Sequence, residues 1–219
     1  MKKISFLALS LFSIFTFSQE ITQESVKKVI SILASDEMKG RLIGTPENES
    51  AAHYISKLFK DNKLEYCAGT SYLIPFQYKG STVYNVCGIK KGQSDKLLAF
   101  SGHFDHIGTN KEKGDNIYNG ADDDASGITA LNGIAEYFKN KKPEFSMVFM
   151  AFNGEEAGLL GSKAISEDKN MDKIYKNIVA LFNFEMIATE SEFGKNGMFM
   201  TGDNFSDLDE QFNDHTDGI

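Results

Sequence analysis

The sequence predicts an α/β sandwich, in which a sheet carries helices on both faces. Three observations carry that expectation. Short continuous apolar runs occur at residues 96–101 (KLLAFS), 147–152 (MVFMAF) and 178–184 (IVALFNF). Helical stretches separate them: residues 126–138 place Ile128, Leu131, Ile134, Ala135 and Phe138 on one stripe, and a further helix starts within 159–165. Strands buried on both faces read as unbroken apolar runs, and their alternation with helices marks β-α-β units. The composition agrees, with 41% hydrophobic and 25% charged residues and 19 Gly against 3 Pro. That balance excludes a largely disordered, collagen-like or coiled-coil chain.

The remaining elements follow in order. Met1-Lys2-Lys3 precedes an apolar run over residues 4–17, and Thr16-Phe17-Ser18 offers small residues at the −3 and −1 positions of a cleavage. The first 18 residues are therefore expected to be a signal peptide removed after Ser18, which implies export to the periplasm or secretion. No later segment is long and apolar enough to span a membrane. Val26, Val29, Ile30 and Leu33 follow helical spacing. A second helix begins at Thr45-Pro46, a capping residue followed by proline at the first helical position, with Ala51, Ile55, Leu58 and Phe59 on one face. Residues 71–78 and 82–89, rich in aromatic and β-branched side chains, read as strands. Cys67 and Cys87 are compatible with a disulfide in an exported chain, and equally with two small buried residues on neighbouring strands.

Function begins with charge. The chain has 31 Asp and Glu against 23 Lys and Arg, a net charge of −8, which argues against nucleic acid and anionic membrane as partners. In open α/β sheets, ligands bind outside the carboxyl ends of the strands. The three buried runs exit into Gly102-His103-Phe104-Asp105, Gly154-Glu155-Glu156 and Glu185, so each delivers a metal-ligating type of side chain to the same edge. A fourth contribution, Asp122-Asp123-Asp124 in GADDDASG, lies between His103 and the helix that follows. A helix start accommodates one acid; three together ask for a divalent cation. No GxSxG elbow, P-loop or HExxH helix is present. His106 reads as a pocket-lining residue and His53 as a structural one.

These stretches carry a resemblance. SGHFDHIG (101–108), NGADDDASG (119–127), NGEEAGLLGS (153–162) and NFEMI (183–187), with LASDEMKGRLIGTPENESAAHYI (33–55) leading in, resemble the co-catalytic zinc aminopeptidase family that includes bacterial leucyl aminopeptidase. Glutamate carboxypeptidase and glutaminyl cyclase are relatives of that family. The resemblance implies a three-layer sandwich with a mixed, mainly parallel central sheet, the phosphorylase/hydrolase-like zinc peptidase fold. It implies a catalytic domain over residues 19–219 that hydrolyses peptide or protein substrates with two zinc ions. By position, His103 and Glu185 bind the first zinc, Glu156 the second, Asp123 bridges both, Glu155 is the catalytic base, and Asp105 orients the His103 imidazole.

The sequence departs from the family pattern twice. Glu185 stands where the family more often has Asp. The family's last ligand is a histidine well downstream, and the sole candidate here is His215, better read as a surface residue. The chain is thus expected to stop short of part of its catalytic domain. A glutaminyl-cyclase-like transferase with one zinc and a non-catalytic binding domain of the same fold remain alternative readings.

Overall fold

The structure, a computed structural model, describes residues 21–110, 112, 114, 116–190, 199–202 and 204–215. The expected signal peptide lies outside the described residues. Helix α1 spans Gln23–Leu33 and α2 spans Pro46–Asp61. Thr45 caps α2, its side chain accepting from Asn48 N, with Pro46 at the first turn as the sequence predicts. The strands are β1 (Glu65–Tyr66), β2 (Leu73–Tyr78), β3 (Ser81–Lys90), β4 (Ser94–His103), β5 (Phe145–Phe152) and β6 (Ile178–Asn183). Helices α3 (Gly127–Phe138), α4 (Leu160–Glu167), α5 (Asp172–Tyr175) and α6 (Leu208–His215) complete the described elements.

The strands form one sheet in the order β1-β3-β5-β4-β6, with β2 paired to β3. β4 runs parallel to β5 and to β6, while β3 is antiparallel to β5, β1 and β2. Five of the six strands therefore point the same way, but β3 runs against them and has three partners. The sheet is thus mixed, parallel across β5-β4-β6 and antiparallel at each pairing of β3. Strand alternation divides the core into two layers. Met147, Phe149 and Ala151 of β5 face a cluster with Leu33 of α1, Ile55 and Phe59 of α2, and Ile128 and Leu131 of α3. Val148 and Met150 face the opposite cluster with Ile165 of α4, Met171 and Ile174. Helices on both faces of the sheet make the three-layer sandwich, with β5 buried on both sides and edge strand β6 exposing Val179 and Leu181 on one.

Of the two readings open for the cysteines, the structure takes the disulfide: Cys67, just after β1, is bonded to Cys87 of β3, with the Cα atoms 5.7 Å apart. No described helix is long and apolar enough to cross a membrane.

Candidate metal centre

The parallel strands β5, β4 and β6 end at one edge, and the candidate side chains leave from it. His103 is the last residue of β4 and is 3% exposed. Its Nδ1 donates to the main-chain carbonyl of Asp105 (3.2 Å) and lies 3.6 Å from the Asp105 carboxylate. That contact directs Nε2 into the site. Nε2 is buried and lacks a hydrogen-bond partner, although Asp123 Oδ1 lies 3.1 Å away. A buried nitrogen close to a carboxylate oxygen but not aligned for a hydrogen bond is suited to share a cation with it.

Asp123 faces two ways. Its Oδ2 lies 3.7 Å from His106 Nδ1, which in turn is 2.6 Å from Glu156 Oε1. Among the described residues, His106, Asp123 and Glu156 each offer a ligand atom with all three within 4.8 Å of one another. Glu155 Oε2 stands 4.0 Å from His103 Nε2. Imidazole nitrogens and carboxylate oxygens at this spacing fit zinc.

The acidic triplet has three separate tasks. Asp123 projects into the site. Asp124 is fully buried and accepts from the backbone N–H of His103 (3.0 Å), Gly127 (2.9 Å) and Met186 (3.4 Å), tying together β4, the start of α3 and the segment after β6. Burial pushes its carboxyl up to about 7, against the opposing pull of His103 and these N–H bonds. Asp122 accepts from Ala188 N (2.8 Å) and from the Thr189 hydroxyl.

Asp105, also fully buried, accepts from the backbone N–H of Glu155 (3.0 Å) and Glu156 (3.3 Å). One residue thus holds the His103 ring through its carbonyl and the glutamate pair through its carboxylate. For His103, burial favours the neutral ring, but the hydrogen bond to Asp105 and the charges of Asp124, Asp105 and Asp123 outweigh it and raise its pKa to about 9. Burial also raises Glu155; His103 opposes this, and Glu185, Glu156 and Asp105 reinforce it.

Glu185 lies two residues beyond β6, is exposed, and accepts from Asn183 Nδ2 (3.4 Å). It is near enough to raise Glu155 but stands outside the His106–Asp123–Glu156 cluster. The side chain of His215 lies outside the described residues. His106, read from the sequence as pocket lining, sits inside the cluster. Sequence reasoning gave no task to Arg41, although GRLIGT was within the quoted stretch. Its guanidinium is fully buried and bonds the carbonyls of Phe104, Leu33, Asn119, Gly120 and Asp123. An arginine beside a glycine is too common a pair to signal this by itself.

A family model described as peptidase family M28 matches residues 85–216, more than half of the chain. A probable zinc metalloprotease of Pyrenophora tritici-repentis is 35% identical over 97 residues, covering 42% of this chain and 21% of that protein. Among solved structures, a leucine aminopeptidase precursor from Bacteroides thetaiotaomicron aligns with a TM-score of 0.61 and 20% identity, over 78% of this chain and 64% of that one. A glutaminyl cyclase from the same organism, solved bound to N-acetylhistamine, aligns with a TM-score of 0.61 and 20% identity, over 77% and 63%. At such identities the two structures speak for the fold. The chain spans about a fifth of the fungal relative and less than two thirds of either solved structure.

Proposed function

Because the chain belongs to peptidase family M28, whose members include zinc metallopeptidases, we propose that it forms the catalytic domain of an exported zinc-dependent aminopeptidase. The observation that carries this reading is the orphaned His103 Nε2, 3.1 Å from one oxygen of Asp123 while the other oxygen faces His106 and Glu156. His103 and Glu185 would hold one zinc and Glu156 the second, with Asp123 between them and His106 beside Glu156. Zinc there supplies Lewis acidity toward a carbonyl oxygen and toward water.

The residues of the chain do the rest. Glu155, 4.0 Å from His103 Nε2, takes a proton from the attacking water and returns it to the departing amine. A carboxylate raised by burial is a better base near neutral pH than an ordinary surface glutamate. Asp105 positions this base by accepting from its backbone N–H while it fixes the His103 ring. Export is supported by the basic-apolar start of the chain and by the Cys67–Cys87 disulfide, since disulfides persist in oxidising compartments.

Glu155→Gln in the intact protein is expected to abolish hydrolysis of an aminoacyl amide while zinc stays bound. Wild-type activity in that variant sinks the assignment of Glu155. Ammonia release from an N-terminal glutaminyl peptide, without cleavage of the aminoacyl amide, favours the cyclase reading instead. N-terminal sequencing of protein recovered outside the cytoplasm is expected to begin after Ser18.

A further inference from the structure

We infer that Arg41 is a positioning residue that presets the metal-holding loops by gripping their main chain from behind. The inference rests on the reading of His103, Asp123 and Glu156 as zinc ligands. Arg41 has five N–H donors and no acceptor, and its side chain is fully buried. Nε donates to Phe104 O (2.6 Å), Nη1 to Leu33 O and Asn119 O (2.7 Å), and Nη2 to Gly120 O (2.9 Å) and, more weakly, Asp123 O (3.5 Å). Every one of these acceptors is a main-chain carbonyl. A guanidinium bonded to the Asp123 carboxylate would compete with a cation for it. Bonded to the carbonyl of the same residue, it fixes the backbone and leaves both carboxylate oxygens facing the imidazoles.

The backbone of residues 40–41 extends the grip. Arg41 O accepts from His106 N (3.3 Å) and from Asn48 Nδ2 (2.9 Å). Asn48 exchanges a pair of amide hydrogen bonds with Asn153, at 2.9 Å each, and Asn153 directly precedes Gly154-Glu155-Glu156. One buried residue is thereby linked to the segments that carry His106, Asp123 and the glutamate pair. Two glycines allow the close approach. A Cβ on Gly120, at φ 61°, would stand 2.6 Å from Arg41 Nη2, and one on Gly40, at φ 67°, would meet Gly108 O at 2.4 Å. From the outer side, Asn119 Nδ2 binds Ala34 O and Asp36 Oδ1, both at 2.9 Å, and clamps the same loop to the same segment.

Burying a cation costs several kcal/mol, and an apolar side chain can fill such a volume without that cost. A planar five-donor fork holding five carbonyls is something lysine, with three donors on a flexible stem, cannot reproduce. The loss in Arg41→Lys should therefore appear in how well the loops hold zinc.

The test uses the intact protein, stripped of metal, with zinc affinity read by competition against a chromogenic chelator and stability by urea unfolding. Arg41→Lys is expected to weaken zinc binding about 10- to 100-fold, the range typical for partners that orient metal ligands. Asn119→Ala, at a less buried position, shifts it in the same direction by a smaller factor. Val148→Ala, in the core cluster on the far face of the sheet, is expected to lower the urea midpoint while zinc affinity stays at the wild-type value. Wild-type zinc affinity in Arg41→Lys, or an equal loss in Val148→Ala, overturns the inference. If Arg41→Lys does not fold, Asn119→Ala decides, and wild-type affinity there overturns it. A wild-type protein that binds no zinc overturns the metal-site reading itself, an outcome distinct from both.

Discussion

The two sides of the candidate site are held in different ways. At the end of β4, His103, Asp105 and Asp124 are at most 3% exposed, and the Asp105 and Asp124 carboxylates and the Asp105 carbonyl accept from backbone and ring N–H groups. At the end of β6, Glu185, Met186 and Ile187 are exposed, and the chain is attached through single bonds from Met186, Ile187 and Ala188 to Asp124, the Ser126 hydroxyl and Asp122. One side is preorganised by a buried polar network whose unpaired member, His103 Nε2, is the atom turned to the metal site. The other is tethered at its backbone to the first side. Disturbing the β4 side should therefore reach the whole site, while disturbing the β6 side should stay local.

The largest effect is expected from Asp105→Ala. It leaves the N–H groups of Glu155 and Glu156 without their acceptor in a partly buried setting, a loss of about 3 kcal/mol in urea unfolding. Zinc affinity should fall with it, because the glutamate loop loses its anchor. An unchanged unfolding midpoint would show that the β4 side is not the rigid half.

The next effect is on pH. In the metal-free fold the His103 pKa is raised to about 9, the pull of Asp105, Asp124 and Asp123 exceeding the opposing effect of burial. Zinc must displace that proton, so affinity should rise by about tenfold per unit between pH 7 and pH 9 and level off above. The sign for folding is the opposite. A raised folded-state pKa stabilises the metal-free fold fully below the ordinary histidine value, and this contribution is lost as pH rises through about 9. Zinc competition at three pH values checks the first trend and metal-free urea titrations the second; a flat zinc profile removes His103 from the ligand set.

The smallest effect is expected at Asp122→Ala, on the tethered side. Releasing Ala188 N and the exposed Thr189 hydroxyl should cost about 1 kcal/mol. It should speed amide exchange at Ala188 while exchange at Glu155 N, held by Asp105, is unchanged. Equal acceleration at both amides would merge the two regions into one unit.

Much of this arrangement was legible before folding. The apolar runs became β4, β5 and β6, and Thr45-Pro46 opened α2, because strand burial and helix capping leave local marks. At the sheet edge, however, β6 exposes Val179 and Leu181, where its unbroken apolar run predicts burial on both faces. The rule that ligands gather at strand carboxyl ends pointed to His103, Asp105, Glu155, Glu156 and Glu185 without any coordinates. What stayed hidden depends on partners distant in the chain. Arg41 meets carbonyls 63 to 82 residues away, apart from Leu33 O. His106 meets Glu156 across 50 residues. Nothing local to either position records those meetings. Cys67 and Cys87 could be paired only once β1 lay against β3, with Tyr66 opposite Gly88.

The sequence by itself determined the element types, the edge where chemistry gathers, and the residue types assembled there, since hydrophobic period, capping and strand order along the chain are local properties. The family resemblance singles out Asp123; only the tertiary structure decided that Asp124 binds buried N–H groups and that Asp122 latches the far loop. Three adjacent aspartates are equivalent as letters. They become distinct once the backbone turns each carboxylate toward a different neighbour, with burial and hydrogen bonding setting its task.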